Sequence, residues 1–182
     1  MAEIILITGG CRSGKSSYAQ KIAESVPGPR TYIATCPCLD EEMAERIRKH
    51  KEARNASWLT IEETLDLAGA LSLSAASPVI LVDCLTLWIN NLLYEAEVQG
   101  GEFREEDMIR QCRRVLDACL AISGKVIFVT NETGMGIVPA DPLSRRFRDI
   151  AGRCNQSIAE KADAVVVMIS GIPLTLKGDI CK

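Results

Sequence analysis

The feature that most constrains this chain is a glycine-rich octapeptide near its N-terminus, residues 9–16. Its sequence, G-G-C-R-S-G-K-S, completes the spacing G-x-x-x-x-G-K-[ST] of a phosphate-binding Walker A loop. An apolar run, residues 4–8, precedes the loop, and a helical pattern, residues 17–25, follows it. Because strand, glycine loop and helix stand in the order that such a loop requires, the sequence predicts a nucleotide-binding site.

The predicted loop offers several kinds of phosphate ligand. Its glycines let successive backbone N–H groups point at phosphate oxygens, and the start of the next helix adds the positive end of its dipole. Lys15 is expected to reach the β- and γ-phosphates, and the Ser16 hydroxyl is expected to ligate Mg²⁺. The residues of this predicted nucleotide-binding loop are Gly9, Gly10, Cys11, Arg12, Ser13, Gly14, Lys15 and Ser16.

Length, composition and charge limit what kind of protein this chain can be. The 182 residues, 47% of them hydrophobic and 25% charged, are expected to form one catalytic domain over residues 1–182. The formal net charge of −3 argues against a general nucleic-acid surface. No apolar run is long enough for membrane insertion and no signal-type segment is recognisable, so we expect a cytoplasmic protein.

Eight cysteines invite a disulfide or zinc interpretation, which their spacing does not favour. There is no C-x-x-C pair, and the chain has one histidine, so a Cys/His zinc site is poorly supported. We expect reduced thiols, most of them small buried side chains, as for Cys112 and Cys119 seven residues apart on one helical pattern. The pair Cys36 and Cys38 stays open, with an ordinary loop favoured.

Strand and helix patterns alternate along the chain. Apolar runs predict strands over residues 4–8, 31–35, 79–83, 126–130 and 165–169, and a short edge strand over 174–176. Amphipathic patterns predict helices over residues 17–25, 40–54, 85–98, 105–122 and 143–162, and capping-box spacing at 60–63 predicts another that continues through 71. This alternation predicts an α/β fold of the P-loop NTPase type, a mainly parallel sheet with helices on both faces.

Two further features are expected at the carboxyl ends of the strands, where such sheets bind ligands. Asp83 ends an apolar strand as a Walker B carboxylate does, and beside a Walker A loop we favour a Mg²⁺ role for it. Residues 131–139 contain two glycines and follow another strand. They form either a substrate lid or a simple connection.

His50 is the only histidine and allows two interpretations. It is either a helix-face residue with a solvated basic flank or a nucleophile, because neutral imidazole can attack phosphorus and form a phosphoramidate. Arg46, His50 and Arg54 repeat at i, i+4 and i+8, so one helix face would present all three to phosphates. A second basic set, most of it expected to be surface charge, consists of Arg145, Arg146, Arg148 and Arg153.

Taken together, these motifs resemble one family. The chain is similar to the bifunctional adenosylcobinamide kinase / adenosylcobinamide-phosphate guanylyltransferases of cobalamin biosynthesis over about residues 4–177. The Walker loop is shared with many families, whereas the other segments are specific in combination. The matching segments are residues 8–16, 32–35, 40–43 with Arg46, Ile47 and His50, 130–132 with 134–138 and Pro139, and 147–153 with Asn155 and Gln156.

The resemblance implies two reactions. A nucleoside triphosphate, ATP or GTP, would phosphorylate adenosylcobinamide, and GMP from GTP would then pass through His50 to that phosphate, giving adenosylcobinamide-GDP. Mg²⁺ would be held by Ser16 and Asp83, Lys15 would assist catalysis, and the protein would form a homo-oligomer, with a trimer known in the family. Beyond the loop, the resemblance implies nucleotide contacts by Ala34, Thr35, Lys51, Glu52, Ala53, Arg54, Glu62 and Asp83.

The chain departs from the family pattern at a few positions. Cys11 stands at a small-residue position of the loop, and Cys36 stands where serine is expected. Asp83 occupies a position where glutamate is also used. Lys49 replaces the second histidine of some members, which leaves His50 as the candidate nucleophile.

Two alternative functions remain open on sequence grounds. One is a small-metabolite kinase of the same fold without guanylyl transfer. The other is a GTP-dependent switch, which is less favoured because residues 131–133 lack the lysine and aspartate of the guanine-reading pattern N-K-x-D.

Overall fold

The computed structural model describes residues 1–37, 45, 48 and 57–180. Within these residues the chain forms seven strands and five helices. The strands are β1 Glu3–Gly9, β2 Arg30–Ala34, β3 Trp58–Glu62, β4 Val79–Asp83, β5 Lys125–Val129, β6 Ala164–Ile169 and β7 Ile172–Lys177. The helices are α1 Lys15–Ser25, α2 Leu67–Leu73, α3 Leu85–Val98, α4 Glu105–Leu120 and α5 Pro142–Lys161.

The strands form one sheet in the order β3-β2-β4-β5-β1-β6-β7. All neighbours are parallel except β7, which runs antiparallel to β6 at one edge. The register places Asp83 between Ala34 and Val129, so the carboxyl ends of β2, β4 and β5 are level. The predicted α/β class and mainly parallel sheet are confirmed, and the loop after β1 opens at this same edge.

Alternate residues of the strands pack on opposite faces of the sheet. On β1, Ile4 and Leu6 join the larger core beneath α2–α5, whereas Ile5 and Ile7 join the smaller core beneath α1. The fully buried Trp88 of α3 lies in the larger core. The continuous apolar strands are therefore covered on both faces, as a parallel sheet requires.

Side-chain caps fix where two of the helices begin. The Asp66 carboxylate accepts a hydrogen bond from Gly69 N at the start of α2 (3.3 Å), and that of Asp141 accepts one from Ser144 N at the start of α5 (2.7 Å). The hydrogen bond from Ser144 lowers the pKa of Asp141 below its ordinary value. Such caps satisfy N–H groups that the first helical turn leaves without partners.

The structure corrects the predicted helix start at residues 60–63. These residues belong to the end of β3 and its exit, and α2 begins only at Leu67. The strand β3 pairs with β2 along its whole length, and its aromatic and β-branched residues suit that edge position. The Glu63 carboxylate still acts locally, because it accepts from Leu65 N and Asp66 N.

Other predictions were closer to the structure. The edge strand is present but longer than residues 174–176, since β7 spans Ile172–Lys177. Cys112, Cys119 and Cys154 are free and buried, whereas Cys84 is half-buried. Of the predicted helix over residues 40–54 the structure describes only Glu45 and Arg48, and both are helical. No helix in the described part of the chain is long and apolar enough to cross a membrane.

Candidate functional site

The phosphate loop connects β1 to α1 and is braced from both sides. Glu132 N donates to Gly9 O (3.0 Å), and Gly171 N donates to Ser13 O (3.0 Å). Gly9 has φ 144° and lies so close to β6 that a Cβ there would stand 2.4 Å from Met168 O. Only glycine fits this position, because both the conformation and the contact exclude a side chain. The loop is therefore held in place by its neighbours before any ligand binds.

The first turn of α1 is open to an anion. Gly14 precedes the helix with φ 94°, and no side chain caps the helix N-terminus. The helix runs for 11 residues, so its dipole adds positive potential at this end. Ser16 is half-buried in the first turn. Uncapped N–H groups at the end of a glycine loop are the arrangement that binds phosphate.

Lys15 carries the positive charge of the loop in a buried position. Its side chain is 8% exposed, and Nζ donates to Gly10 O (2.6 Å). Burial lowers the pKa of Lys15, and the nearby Cys84, Cys11 and Asp83 oppose that shift. The ammonium therefore costs free energy in the ligand-free protein, and a phosphate would compensate it.

Two hydroxyls at the loop are buried without a hydrogen-bond partner among the described residues. They are Thr8 Oγ1, at the end of β1, and Ser13 Oγ, inside the loop. Both residues are at least nine-tenths buried. Buried polar atoms are rarely left unpaired in native proteins, so their presence together marks this end of β1 as a site that a polar ligand completes.

Asp83 lies at the carboxyl end of β4, close enough to Lys15 for its charge to affect the pKa of that lysine. One oxygen of its half-buried carboxylate, Oδ2, accepts a hydrogen bond from the Tyr32 hydroxyl (3.1 Å). Tyr32 projects from the neighbouring strand β2, where it packs edge-on against Trp58 with ring centroids 6.2 Å apart. The tyrosine therefore orients one carboxylate oxygen of Asp83.

A set of hydrogen bonds that we call the strand-end latch joins β2 to β4 and α3. The Thr35 hydroxyl donates to Cys84 O (2.7 Å) and accepts from Cys84 N (2.8 Å). Asn91 Nδ2, from α3, donates to Thr35 O (2.8 Å) and to Thr64 O (3.2 Å). Burial and the charge of Asp83 raise the pKa of the Cys84 thiol to about 11, so it stays protonated at neutral pH. The latch fixes the backbone on which Asp83 stands.

A second network ties residues 130–131 to α3 and α5. The Thr130 hydroxyl donates to Asn155 Oδ1 (2.8 Å), and Asn155 Nδ2 donates to Asn131 O (3.1 Å). Asn131 N donates to Thr86 Oγ1 on α3 (2.7 Å). The segment 131–139 forms neither helix nor strand. Its first residues are firmly held between the phosphate loop and two helices, whereas its later residues are exposed.

The structure brings most of the described candidates to one edge of the sheet. Ala34, Thr35, Glu62 and Asp83 all stand at the carboxyl ends of β2, β3 and β4, as does the phosphate loop at β1. The Thr35 hydroxyl is engaged within the latch, and Glu62 is exposed. The other candidates, His50, Lys51, Glu52, Ala53 and Arg54, lie outside the described residues.

Sequence reasoning missed the side chains that hold this edge together. Tyr32, Thr86, Asn91 and Asn155 each make the hydrogen bonds given above. Tyr32 and Asn155 fell inside the family-like segments, but nothing in their spacing indicated a partner. A polar residue on the apolar face of a predicted helix, as Asn91 is, was the available signal.

The donor set fits a hydrated Mg²⁺ better than a tightly caged metal. No cluster of three or more His, Cys, Asp or Glu side chains suited to a metal ion is present in the described residues. Mg²⁺ is usually held by one or two protein oxygens together with substrate phosphates and water. The Ser16 hydroxyl and the Asp83 carboxylate match that requirement.

Comparisons with known proteins agree with this arrangement. A family model described as "Cobinamide kinase / cobinamide phosphate guanyltransferase" matches residues 5–176. The chain is 43% identical to the bifunctional adenosylcobalamin biosynthesis protein CobP of Pseudomonas aeruginosa, covering 96% of this chain and 97% of that protein. It is also 43% identical to the bifunctional adenosylcobalamin biosynthesis protein CobU of Salmonella typhimurium, covering 96% and 99%.

A solved structure shares the fold at low sequence identity. It is described as a prototypical ATPase from the type III secretion system of pathogenic bacteria, and it superposes with a TM-score of 0.60 at 12% identity. The match covers 95% of this chain and 56% of that one. The likeness confirms the P-loop NTPase-type fold.

Proposed function

The chain belongs to the cobinamide kinase / cobinamide phosphate guanyltransferase family, and we propose that it carries out both reactions of that description. In the first, a nucleoside triphosphate phosphorylates the hydroxyl of adenosylcobinamide. In the second, GMP from GTP is transferred to the new phosphate, and pyrophosphate leaves. The observation that carries the proposal is the braced phosphate loop with its buried lysine, joined at one sheet edge to Asp83.

The phosphate loop binds the triphosphate in both reactions. Backbone N–H groups of the loop and of the first turn of α1 donate to phosphate oxygens. Lys15 exchanges its bond to Gly10 O for a phosphate oxygen, which relieves the cost of its burial. Ser16 and Asp83 would hold Mg²⁺, which would neutralise charge on the phosphates when bound. The Tyr32 hydroxyl orients the Asp83 carboxylate through its hydrogen bond to Oδ2.

His50 is the proposed nucleophile of the guanylyl transfer. Its imidazole attacks the α-phosphorus of GTP, a phosphorus–nitrogen bond forms, and the bond to the pyrophosphate oxygen breaks. Lys15 stabilises the charge that builds on the leaving pyrophosphate. A phosphate oxygen of adenosylcobinamide phosphate then attacks the same phosphorus and releases the imidazole. The kinase step needs no imidazole, because the γ-phosphoryl group passes directly to a hydroxyl.

Product analysis tests this assignment. The protein, with ATP, GTP, Mg²⁺ and adenosylcobinamide, should form first the corrinoid phosphate and then adenosylcobinamide-GDP with release of pyrophosphate. His50→Asn should stop the sequence at the phosphate. A wild-type protein that accumulates only the phosphate would be a kinase without guanylyl transfer. GTP hydrolysis that ignores corrinoid would favour a switch.

The homo-oligomer implied by the resemblance stays a prediction for the assembled protein. Sedimentation equilibrium of the purified chain, with and without GTP, measures it directly. A trimer is the expected state, and a monomer at all concentrations would contradict it.

A further inference from the structure

The two reactions leave a groove between two helices of the described chain without a role. It lies between α3 and the start of α5, is also lined by Thr133 and Pro139, and encloses about 480 Å³. We call it the α3/α5 groove, and its lining includes Asn90, Tyr94, Thr133, Leu143, Phe147 and Arg148. We propose that this groove binds the corrinoid, with Arg148 receiving the phosphate of adenosylcobinamide phosphate. The inference rests on the proposed function.

Both walls of the groove are connected by hydrogen bonds to the phosphate loop or to the segment that braces it. Thr133 lines the groove, and its neighbour Glu132 donates its N–H to Gly9 O of the phosphate loop (3.0 Å). On the other wall, Asn90 lies one helical turn beyond Thr86, which accepts from Asn131 N (2.7 Å). These connections place the groove on the same side of the molecule as the phosphate loop, and phosphoryl and guanylyl transfer require a corrinoid site close to the nucleotide.

Arg148 differs from the other arginines of α5. Arg145 donates to Pro139 O and Ala140 O, Arg146 donates to Phe103 O, and Arg153 pairs with Glu105. The Arg148 guanidinium is half-buried and makes no hydrogen bond or ion pair with any residue that the structure describes. A partly buried guanidinium without a partner favours an anion, and its fork matches the geometry of a phosphate.

The walls of the groove are apolar where a macrocycle would lie. Phe147 packs against the larger core, and Tyr94 and Leu143 are 67% and 54% exposed. Ile137 and Val138, in the chain between the lining residues Thr133 and Pro139, are also exposed apolar side chains. Apolar surface gathered around a polar site marks a binding surface. A corrin ring offers apolar faces together with a rim of amides, for which the Asn90 side chain provides a hydrogen-bonding group.

The volume sets how much of the ligand the groove encloses. Pockets that bury a drug-sized ligand occupy roughly 300–1,000 Å³, and a corrinoid exceeds that ligand size. A groove of about 480 Å³ therefore holds one edge of the macrocycle and the arm that carries the phosphate, and the rest stays exposed. An open groove also suits a product that must leave with GMP attached.

Binding measurements on two variants test the assignment. In Arg148→Gln, the Kd for adenosylcobinamide phosphate should rise roughly 10- to 100-fold, because a charge-assisted hydrogen bond is lost. The Kd for unphosphorylated adenosylcobinamide should rise less than about threefold, since that ligand has no phosphate. In Tyr94→Ala, both corrinoids should bind roughly 5- to 10-fold more weakly. The Kd for GTP should change by less than about twofold in either variant.

Matched controls come from α4. Arg113→Gln removes an exposed arginine that has no partner within the described residues, and Leu120→Ala truncates a side chain that is 57% exposed. Both control proteins should bind corrinoids and GTP as the wild type does. Equilibrium dialysis read by corrinoid absorbance gives the affinities, and far-UV circular dichroism verifies that each variant is folded.

The outcomes separate the two proposals. If the wild type neither binds nor phosphorylates corrinoid, the proposed function fails and the groove assignment fails with it. If the wild type turns over corrinoid and both groove variants bind it normally, the assignment alone is wrong. Loss of GTP affinity in Arg148→Gln would place that arginine in the nucleotide site instead. A changed oligomeric state with normal corrinoid affinity would make the groove a contact between copies of the chain.

Discussion

The phosphate loop and the strand-end latch lie at the same edge of one sheet, yet they differ in whether their buried polar atoms have hydrogen-bond partners. In the latch, the Thr35 hydroxyl both donates to and accepts from Cys84, and Asn91 Nδ2 donates to two carbonyls. At the loop, Thr8 Oγ1 and Ser13 Oγ have no partner among the described residues.

This difference indicates that the latch has a structural role and that the loop is a ligand-binding site. A satisfied buried network adds stability and fixes geometry, because each donor and acceptor would be costly to leave unpaired. A braced loop with unpaired hydroxyls and a buried ammonium gives up stability that a phosphate ligand can restore. The comparison therefore predicts that loss of the loop lysine weakens ligand binding. It also predicts that removing a hydroxyl lowers stability at the latch and raises it at the loop.

The largest effect is expected at the loop lysine. Lys15→Ala should weaken GTP binding roughly 100-fold, because a buried charge-assisted contact to phosphate is lost. Its free energy of unfolding without nucleotide should change by less than about 1 kcal/mol, since burial already lowers the pKa of Lys15 and disfavours its charge. Isothermal titration calorimetry and urea unfolding measure the two quantities.

The matched control lies on the same helix. Lys21 is exposed on α1, so Lys21→Ala should leave both GTP affinity and stability unchanged. A Lys15→Ala protein that binds GTP normally would remove the loop from the nucleotide site.

The second-largest effect is expected at Asp83, whose backbone the latch holds in place. Asp83→Asn should lower turnover roughly 10- to 100-fold, because Mg²⁺ loses a charged ligand while Tyr32 keeps an acceptor for its hydroxyl. The deficit should shrink as Mg²⁺ is raised. Rates measured over a Mg²⁺ series check this, with Asp117→Asn, an exposed position of α4, as the control. Full activity of Asp83→Asn at limiting Mg²⁺ would contradict the metal role.

The latch itself should respond in stability. Thr35→Val keeps the side-chain shape but leaves Cys84 N and Cys84 O without the hydroxyl, so the free energy of unfolding should fall by about 1–3 kcal/mol. Urea unfolding measures this, and Thr175→Val on the exposed edge strand should change it by less than about 0.5 kcal/mol. If Thr35→Val unfolds like the wild type, the latch contributes no stability and the comparison fails.

The smallest predicted effect is a gain in stability, opposite in sign to the loss expected for Thr35→Val. Thr8→Val removes a buried hydroxyl that has no partner among the described residues, so the protein should become more stable by about 0.5–1 kcal/mol. The same chemical change thus stabilises at the loop and destabilises at the latch. A loss of stability in Thr8→Val would mean that its hydroxyl is satisfied in solution.

The sequence could predict those site residues that belong to a motif within a short stretch of the chain. Lys15, Ser16 and the glycines stand next to one another, and Asp83 ends an unmistakable apolar run. The bracing contacts join positions far apart in the chain, as when Asn91 reaches Thr35 across 56 positions. No local pattern encodes such a contact, because it depends on how the helices pack.

The segment around residue 60 shows how a local signal misleads. Its capping-box spacing predicts a helix start, but the structure has β3 up to Glu62 and a turn held by the Glu63 carboxylate. Pairing with β2 at the edge of the sheet outweighs the local preference. The proposed role of His50 as the nucleophile rests on sequence pattern and on the resemblance to the family, and the following experiment tests it.

The most direct test of the account is to locate the guanylyl group on the protein. The wild type is incubated with GTP and Mg²⁺ without corrinoid, digested at alkaline pH, and analysed by mass spectrometry. The account predicts GMP on His50, in a linkage that acid removes and alkali does not, and no adduct in Lys15→Ala or His50→Asn. GMP on Lys49 or Lys51, or guanylyl transfer by the His50→Asn protein, would contradict it.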